Sequence, residues 1–211
     1  MWALVEDNAI TKIINNPKAM VIGDTRHSKN IFSFRWTDAE REAIGIYEVE
    51  FNNSNKRDEN FYTNTNQSFD FADGKVTASY GTATAKAIAD SLWTQEDSDN
   101  GDLPDDKEIG DVKVKGLKTL KKENIKSQAS GLLAPTDWYV IKATDVAEYS
   151  VPSAVSTFRT NVRTRSNEME TAIDNASDVD ALKALYEYVN TGTEENPVME
   201  RPLGEWPVLE V

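Results

Sequence analysis

Cysteine is absent from the 211-residue sequence, and histidine occurs once, at His27. Without cysteine the chain can form no disulfide and has no thiolate for catalysis or metal binding. Zinc sites use three or four ligands drawn mainly from Cys and His, so this composition argues against one. His27 lies in a polar segment with Asp24 and Ser28, but the G-x-S-x-G elbow of serine hydrolases is missing. We therefore interpret His27 as a surface residue.

Long apolar runs are missing as well. No stretch approaches the roughly 18 apolar residues that a membrane span requires. Residues 1–5 are mostly apolar but run directly into Glu6 and Asp7, so the basic region and long apolar core of a signal peptide are not found. We therefore expect a chain that is made and folded in the cytoplasm.

The common motifs for phosphate binding and catalysis do not occur. The sequence contains neither G-x-x-x-x-G-K-[ST] nor G-x-G-x-x-G. Four carboxylates are spaced partly like the ligands of a calcium loop: Asp97, Asp99, Asp105 and Glu108. Asp102 stands where that loop needs glycine, and Pro104 interrupts it, so we predict no calcium site. Because 36 residues are acidic, carboxylate pairs suited to glycan hydrolysis arise from abundance alone, and we predict no catalytic residue, cofactor or metal ion.

Basic residues are in the minority. The sequence has 23 Lys and Arg against 36 Asp and Glu, which gives a formal net charge of −13 and a pI near 4.6. Nucleic-acid binding depends on clustered basic residues that neutralise phosphates, and anionic lipid surfaces attract the same clusters. The charge therefore argues against nucleic acid and membrane as partners, and we interpret it as favouring solubility.

The first 93 residues are predicted to form a β-rich domain. The pairs Asp7-Asn8 and Asp73-Gly74 each separate two apolar runs and tolerate the backbone of a tight hairpin turn. Residues 37–40 have the spacing of a capping box and predict a short helix that Gly45 ends. We predict strands at the following apolar or alternating runs: 2–6, 9–14, 31–34, 46–51, 69–71 and 76–80.

In the middle of the chain an acidic segment is followed directly by a basic one. Residues 94–111 hold eight Asp or Glu and one Lys. Such a segment buries too little apolar surface to order itself, so we predict an exposed loop or linker that is mobile or held by a partner. Residues 112–126 follow with six Lys and one Glu, which we interpret as the solvated face of a helix rather than a nucleic-acid patch.

Residues 112–192 are predicted to form a helical domain. Its first helix carries apolar residues on one side and is ended by Pro135, and residues 138–141 follow as a short extended link. After Pro152, apolar residues recur at three-four spacing over about six turns. Asp178 caps a further helix, and we expect these last two helices to lie antiparallel, joined at residues 175–176.

The remaining residues, 193–211, contain three prolines, which exclude a helix or a central strand. We predict an extended tail whose apolar end, including Trp206, docks on its own domain or on a neighbouring protein. Together these features predict an α+β fold. Its N-terminal half is β-rich, with hairpins and one short helix, and its C-terminal half is helical, with an antiparallel helix pair. The predicted divisions of the chain are 1–93, 94–111, 112–192 and 193–211.

The most distinctive pattern follows the first helix of the helical domain. It comprises Leu132, Leu133, Thr136, Asp137 and Trp138, followed by Pro152 and then by Phe158, Arg159 and Arg163. On the residues alone, we favour a packing motif over a ligand site. Trp138 would pack against Phe158 and Val162. Either arginine would pair with Asp137 or Asp145.

This pattern resembles the phage tail assembly chaperone family. Its members carry Leu-Leu-x-x-Ser/Thr-Asp-Trp, matched by residues 132–138, and an aromatic-Arg-x-x-apolar-Arg helix, matched by residues 158–163. The match spans residues 128–163, about a sixth of the chain. Val155 stands where the family usually has Trp, and the loop between the two elements is longer here. Residues 2–5 and 45–47 also resemble the N-termini of tail-fibre-associated accessory proteins of marine phages.

The resemblance implies a non-catalytic protein of a phage tail that docks on other tail proteins. We favour a structural component linked to the fibre or the baseplate. A tail or tail-fibre assembly chaperone that is absent from the mature virion stays open, and a small acidic glycan hydrolase is disfavoured. The same resemblance implies several copies repeated by tail symmetry, residence in the host cytoplasm during assembly, and residence in the virion tail afterwards.

Overall fold

The structure is a computed structural model that describes residues 1–210. It divides the chain into two compact units, residues 1–85 and residues 86 onward. This division falls after Ala85, eight residues before the predicted end of the first domain. The fold is α+β, with strands dominating the first unit and the long helices in the second, as predicted.

The first unit is built mainly from short strands. In chain order its elements are β1 (Trp2–Glu6), β2 (Ala9–Ile14), β3 (Met20–Ile22), β4 (Thr25–His27), a 3-10 helix (Lys29–Phe32), α1 (Asp38–Glu42), β5 (Ile46–Asn52), β6 (Tyr62–Thr63), β7 (Ser68–Ala72), β8 (Lys75–Ser79) and β9 (Thr84–Ala85). One sheet has the strand order β2-β1-β5-β8-β7, in which β5 and β8 are parallel and the other neighbours antiparallel. The strands β3 and β4 pair with each other, as do β6 and β9.

Both predicted hairpins are confirmed together with their turns. Asp7 and Asn8 have φ angles of 51° and 62°, and Asp73 and Gly74 have φ angles of 52° and 72°. Two consecutive positive φ angles define a type I′ turn, whose twist matches that of the flanking strands. The turn residues therefore set the register of β1 with β2 and of β7 with β8.

The strand β1 is buried on both faces because a hydrophobic core packs on each of them. Side chains alternate along a strand, so Ala3 and Val5 face one core while Leu4 faces the other. The first core also contains Val49, Val76 and Ala78, and the second also contains Ile14, Ile31 and Ile46.

Residues 31–34 do not form the predicted strand, and that prediction is wrong. The 3-10 helix begins at a cap in which the Ser28 hydroxyl accepts a hydrogen bond from the Asn30 amide at 3.3 Å. Local hydrogen bonds between polar side chains and the backbone outweigh the strand preference of an apolar–polar alternation that is only four residues long. As a result Ile31 is buried, whereas Phe34 is 95% exposed.

The helix α1 has the predicted capping box, formed by Thr37 and the third helical residue. Its Arg41 side chain is buried and bonds to the preceding turn. The guanidinium Nη1 donates to the Trp36 carbonyl at 2.6 Å and to the Ser33 carbonyl at 3.2 Å, and Nη2 donates to Asp38 Oδ1 at 2.6 Å. A buried arginine therefore holds residues 33–36 against α1.

The second unit combines long helices with short two-stranded ribbons. In chain order its elements are β10 (Ser91–Leu92), α2 (Gln95–Asp99), β11 (Val112–Val114), α3 (Leu117–Leu133), a 3-10 turn (Ala134–Thr136), α4 (Asp137–Asp145), α5 (Ser153–Asn175), α6 (Val179–Ala184), β12 (Val189–Asn190) and β13 (Met199–Glu200). The strands β10 and β11 pair antiparallel, as do β12 and β13. The strand β13 lies in residues 193–211, which were predicted to be extended without a helix or a central strand, and it pairs with β12 alone.

An antiparallel helix pair is confirmed, and its members are α3 and α5. Near the start of α3, Lys122 Nζ donates to Asp174 at 2.7 Å, and near its end the Leu133 carbonyl accepts from Arg159 at 3.1 Å. The sequence predicted α5 and α6 as the pair, but α6 ends at Ala184 after less than two turns. The buried residues of the α3–α5 pair include Ile125, Ala129, Phe158, Val162 and Met169.

The packing at the start of α3 requires glycine at position 116. Asp90 accepts hydrogen bonds from the Gly116 amide at 2.6 Å and from the Thr119 hydroxyl at 2.9 Å, so the helix is capped by a distant side chain. A Cβ on Gly116 would lie 2.3 Å from the Ala89 carbonyl oxygen, and because this is a steric clash, only glycine fits at this position. The hydrogen bond from the Gly116 amide is the main reason that the pKa of Asp90 lies below its ordinary value.

Residues 94–111 form the end of the β10–β11 ribbon rather than a linker between the units. The Trp93 amide donates to the Asp111 carbonyl at 2.8 Å, and the Gly110 amide donates to the Trp93 carbonyl at 2.9 Å. Thr94 opens α2 with a capping box that Asp97 completes. The segment is mostly exposed, but capping side chains give it a local order that its composition did not predict. We call residues 91–114 the acidic ribbon.

The acidic ribbon is held by Asp97, whose titration gives a testable pH dependence. A hydrogen bond from Lys113 Nζ, followed by bonds from Thr94, lowers the pKa of Asp97 to about 2. A carboxylate with a depressed pKa stabilises the folded ribbon above its unfolded pKa of about 3.9. That contribution is lost as the pH falls through about 2.

We expect Lys113→Met to raise the pKa of Asp97 toward its ordinary value, as measured by NMR titration of the side-chain carboxyl carbon. Lys115→Met is the matched control, because Lys115 pairs with Glu123 instead. An unchanged Asp97 titration in Lys113→Met would contradict this assignment.

Candidate docking surface on α4

The helix α4 follows α3 almost without interruption. Pro135 occupies the first turn of the 3-10 segment between them, where its missing N–H is not required. The helix α3 thus ends at Leu133, just before Pro135 as predicted, but a 3-10 turn and a further helix follow it directly. Residues 138–141, which the sequence predicted as an extended link, are helical, and that prediction is wrong.

Arg159 of α5 holds the junction between α3 and α4. Its Nη1 donates to the Leu133 carbonyl at 3.1 Å, to the Thr136 hydroxyl at 2.5 Å and to Asp137 Oδ1 at 2.7 Å. The Thr136 hydroxyl in turn donates to the Leu133 carbonyl at 2.7 Å. The predicted pair of Arg159 with Asp137 is confirmed, whereas Arg163 donates to the Arg159 carbonyl at 3.3 Å.

Trp138 does not pack against Phe158 and Val162, so this part of the sequence interpretation is wrong. Its side chain is half-exposed, and its ring lies 3.8 Å from the Tyr139 ring, centroid to centroid, at an interplanar angle of 32°. The reason is the helical backbone. Each residue turns the helix by 100°. Tyr139 and Ala143 are therefore the half-buried side of α4, and Trp138 points away from it.

No residue of α4 is buried. Trp138 and Ile141 are one turn apart, 50% and 61% exposed, and Lys142 and Asp145 lie on the same side by helical spacing. We call these four residues the α4 surface. Val140, which helical spacing places on the opposite side of α4, and Val146 just after the helix are also exposed. The α4 surface is thus an apolar pair followed, toward the C-terminal end of the helix, by two opposite charges.

Lys142 fixes the far end of α4. Its ammonium lies 4.3 Å from the centroid of the Tyr149 ring and 5.8 Å from that of the Trp138 ring. Cations are attracted to the faces of aromatic rings, so Lys142 ties Trp138 to the segment after the helix. Asp137 in the first turn and Lys142 in the last turn also match the helix dipole. Both ends of α4 are therefore anchored while its outer side is free.

The other residues of the predicted motif are structural. Leu132, Leu133 and Trp206 pack against a core cluster that contains Phe158. Trp206 Nε1 also donates to Gln128 Oε1 at 2.7 Å, so the apolar tail docks on its own unit. Pro152 occupies the N-cap position of α5. Sequence reasoning missed Ile141 and Lys142, because it treated residues 138–141 as a short extended link and not as part of a helix.

Residues 1–210 contain no cluster of three or more Asp, Glu or His side chains that could hold a metal ion. None of the helices within these residues has the length and apolar character needed to cross a membrane. His27 lies edge-on beside the Trp36 ring, with centroids 6.3 Å apart.

Comparison with known proteins gave no match. No protein-family model, no curated protein sequence and no solved structure is significantly similar to this chain.

Proposed function

We propose that this protein is a structural component of a bacteriophage tail, linked to the fibre or the baseplate, and that it docks on another tail protein through the α4 surface. The tail setting is supported by the resemblance of residues 128–163 to the phage tail assembly chaperone family. The docking role is supported by one observation: a half-exposed tryptophan stands on a helix that contributes no buried residue to its own unit.

The α4 surface has the composition of a binding hot spot. Tryptophan is among the residues most enriched at positions that dominate binding energy, and hot spots lie inside a ring of more polar contacts. Trp138 and Ile141 provide the apolar centre, and Lys142 and Asp145 provide a charged border.

The anchoring of α4 favours tight docking. Ordering a flexible segment on binding costs free energy, and a helix that is already held at both ends avoids most of that cost. Arg159 holds the first turn, and the contact between Lys142 and Tyr149 holds the last. We therefore expect the partner to present an apolar groove that accepts one side of a helix.

Replacing Trp138 and Ile141 together by serine is expected to weaken binding to the tail partner by at least about thirtyfold, the effect of losing one hot spot of about 2 kcal/mol. The melting temperature should hardly change, because neither side chain supports the core. Leu120→Ser is the matched control, since Leu120 is 48% exposed on α3. Binding is measured by calorimetry with purified fibre and baseplate proteins of the same phage.

A second experiment separates the structural component from the assembly chaperone. Mass spectrometry of purified virions should find the chain if it is a tail component. Its absence from virions, together with binding to a fibre protein in infected cells, would favour the assembly chaperone. Failure of every tail protein to bind the wild-type chain would refute docking through α4.

A further inference from the structure

A turn in the first unit displays a large aromatic side chain in solvent. Phe34 is 95% exposed. The backbone on both sides of it is held, because Arg41 Nη1 donates to the carbonyls of Ser33 and Trp36 at 3.2 and 2.6 Å. The Trp36 amide also donates to the Ser33 carbonyl at 3.2 Å. The ring is therefore presented on a fixed turn, with little ordering left to do on binding.

Three basic residues lie close to this turn in the sequence or on a neighbouring strand. Arg35 follows Phe34 in sequence, Lys29 lies in the preceding 3-10 helix, and Arg26 lies on β4. The neighbouring residue of β4, His27, is in ring contact with Trp36, which places β4 beside the turn. The three basic side chains are exposed, and none of them forms an ion pair within residues 1–210. We call residues 26–36 the Phe34 turn.

The acidic ribbon in the second unit has the complementary chemistry. Its residues 94–111 include eight Asp or Glu and one Lys. Lys113 neutralises Asp97, but Glu96, Asp102 and Asp105 form no ion pair within the described chain. Large apolar side chains are exposed on the same ribbon: Leu92 at 47%, Ile109 at 51%, Val112 at 42% and Val114 at 60%. The ribbon thus offers apolar contact surface together with negative charge.

We infer that the protein self-associates, with the Phe34 turn of one copy docking on the acidic ribbon of the next. The occupant is a second copy because the charges of both faces are present on one chain and are opposite in sign. A chain with a net charge of −13 repels copies of itself at most approaches, and a basic turn facing an acidic ribbon is an approach with lower repulsion.

The contact is heterologous, since the two faces differ. A dimer made this way keeps one unused turn and one unused ribbon, so further copies add until a ring closes or a filament grows. This inference does not rest on the proposed docking through α4, and its test contains no tail protein. Failure of either proposal therefore leaves the other unaffected.

The test is sedimentation velocity of the full chain over a concentration series. The wild type should associate as its concentration rises, and association should weaken as salt is raised from about 0.05 to 0.5 M, which shortens the screening length severalfold. The turn variant, Phe34→Ser with Arg35→Glu, and the ribbon variant, Ile109→Ser with Glu108→Lys, should each weaken association at least about thirtyfold. Phe51→Ser and Met199→Ser, at exposed apolar positions elsewhere, should associate like the wild type.

Mixing the two variants is the decisive step. The turn variant retains an intact ribbon and the ribbon variant retains an intact turn, so an equimolar mixture should form a dimer that does not grow further. Circular dichroism confirms that both variants are folded, and their altered side chains are all exposed. A wild type that stays monomeric up to about 0.5 mM, a range that detects a Kd near 1 mM, would overturn the inference. So would association that survives both variants, or a mixture that stays monomeric.

Discussion

Replacing Arg41 by methionine is expected to lower the free energy of unfolding of the first unit by about 1–3 kcal/mol, the cost of leaving buried hydrogen-bonding groups without a partner. The Arg41 side chain is only 10% exposed. Methionine keeps a similar apolar length but removes every donor. The carbonyls of Ser33 and Trp36 would then remain in a partly buried turn without their partner, which costs free energy for each group.

The guanidinium also lies 4.7 Å from the centroid of the Trp2 ring, so its loss removes a cation–π contact as well. Arg35→Met is the matched control, because Arg35 is exposed and its change should stay within about 0.5 kcal/mol. Urea denaturation gives the free energies, and amide exchange in β1 and β5 assigns the loss to the first unit. A loss below about 1 kcal/mol for Arg41→Met would mean that water replaces the guanidinium.

The elements that could be predicted from the sequence are those whose ends are fixed by turn or capping residues close to them in the chain. Asp7-Asn8 favours a type I′ turn wherever the chain needs a hairpin, and Thr37 with Glu40 forms a capping box from residues three apart. Asp178 likewise caps α6, accepting from the Ala181 amide at 2.8 Å. In each case the deciding contacts are local, so a short window of sequence contains all of them.

Other elements depend on contacts that no short window contains. The parallel pairing of β5 with β8 joins Val49 to Val76, and nothing in either strand specifies that partner. The same holds for Phe34, since its exposure follows from the bonds that Arg41 makes to the turn. An arginine on a short polar helix gives no sequence signal that it will be buried.

The ionic contact of the candidate site could be predicted from the sequence. Which side chains α4 exposes could not. Arg159 and Asp137 are obvious partners by charge, and the structure joins them over 22 positions. The apolar run from Trp138 to Ile141, in contrast, fits a buried strand and an exposed helix equally well by composition. The sequence interpretation treated Pro135 as a helix breaker. In the fold, Pro135 lies in the first turn of the 3-10 segment that leads into α4.

The start of α4 is held mainly by the Arg159 side chain, so this side chain affects both stability and the proposed docking. The Leu133 carbonyl near the end of α3, the Thr136 hydroxyl and the Asp137 carboxylate at the start of α4 all accept from Arg159 Nη1. Because α4 has no buried residue of its own, little else than this junction and the contact of Lys142 with Tyr149 holds it in place.

Arg159→Met is expected to lower the free energy of unfolding of the second unit by about 2–3 kcal/mol, the cost of losing charge-assisted hydrogen bonds at a largely buried site. The Arg159 side chain is 12% exposed. The amides of α4 should also exchange faster than those of α3, and binding to a tail partner should weaken although Trp138 and Ile141 are unchanged. Arg163→Met is the matched control, because its exposed side chain bonds only to the Arg159 carbonyl at 3.3 Å. Exchange in α4 that is equally slow in Arg159→Met and Arg163→Met would show that the helix is held by other contacts, and the preorganised docking surface would lose its physical basis.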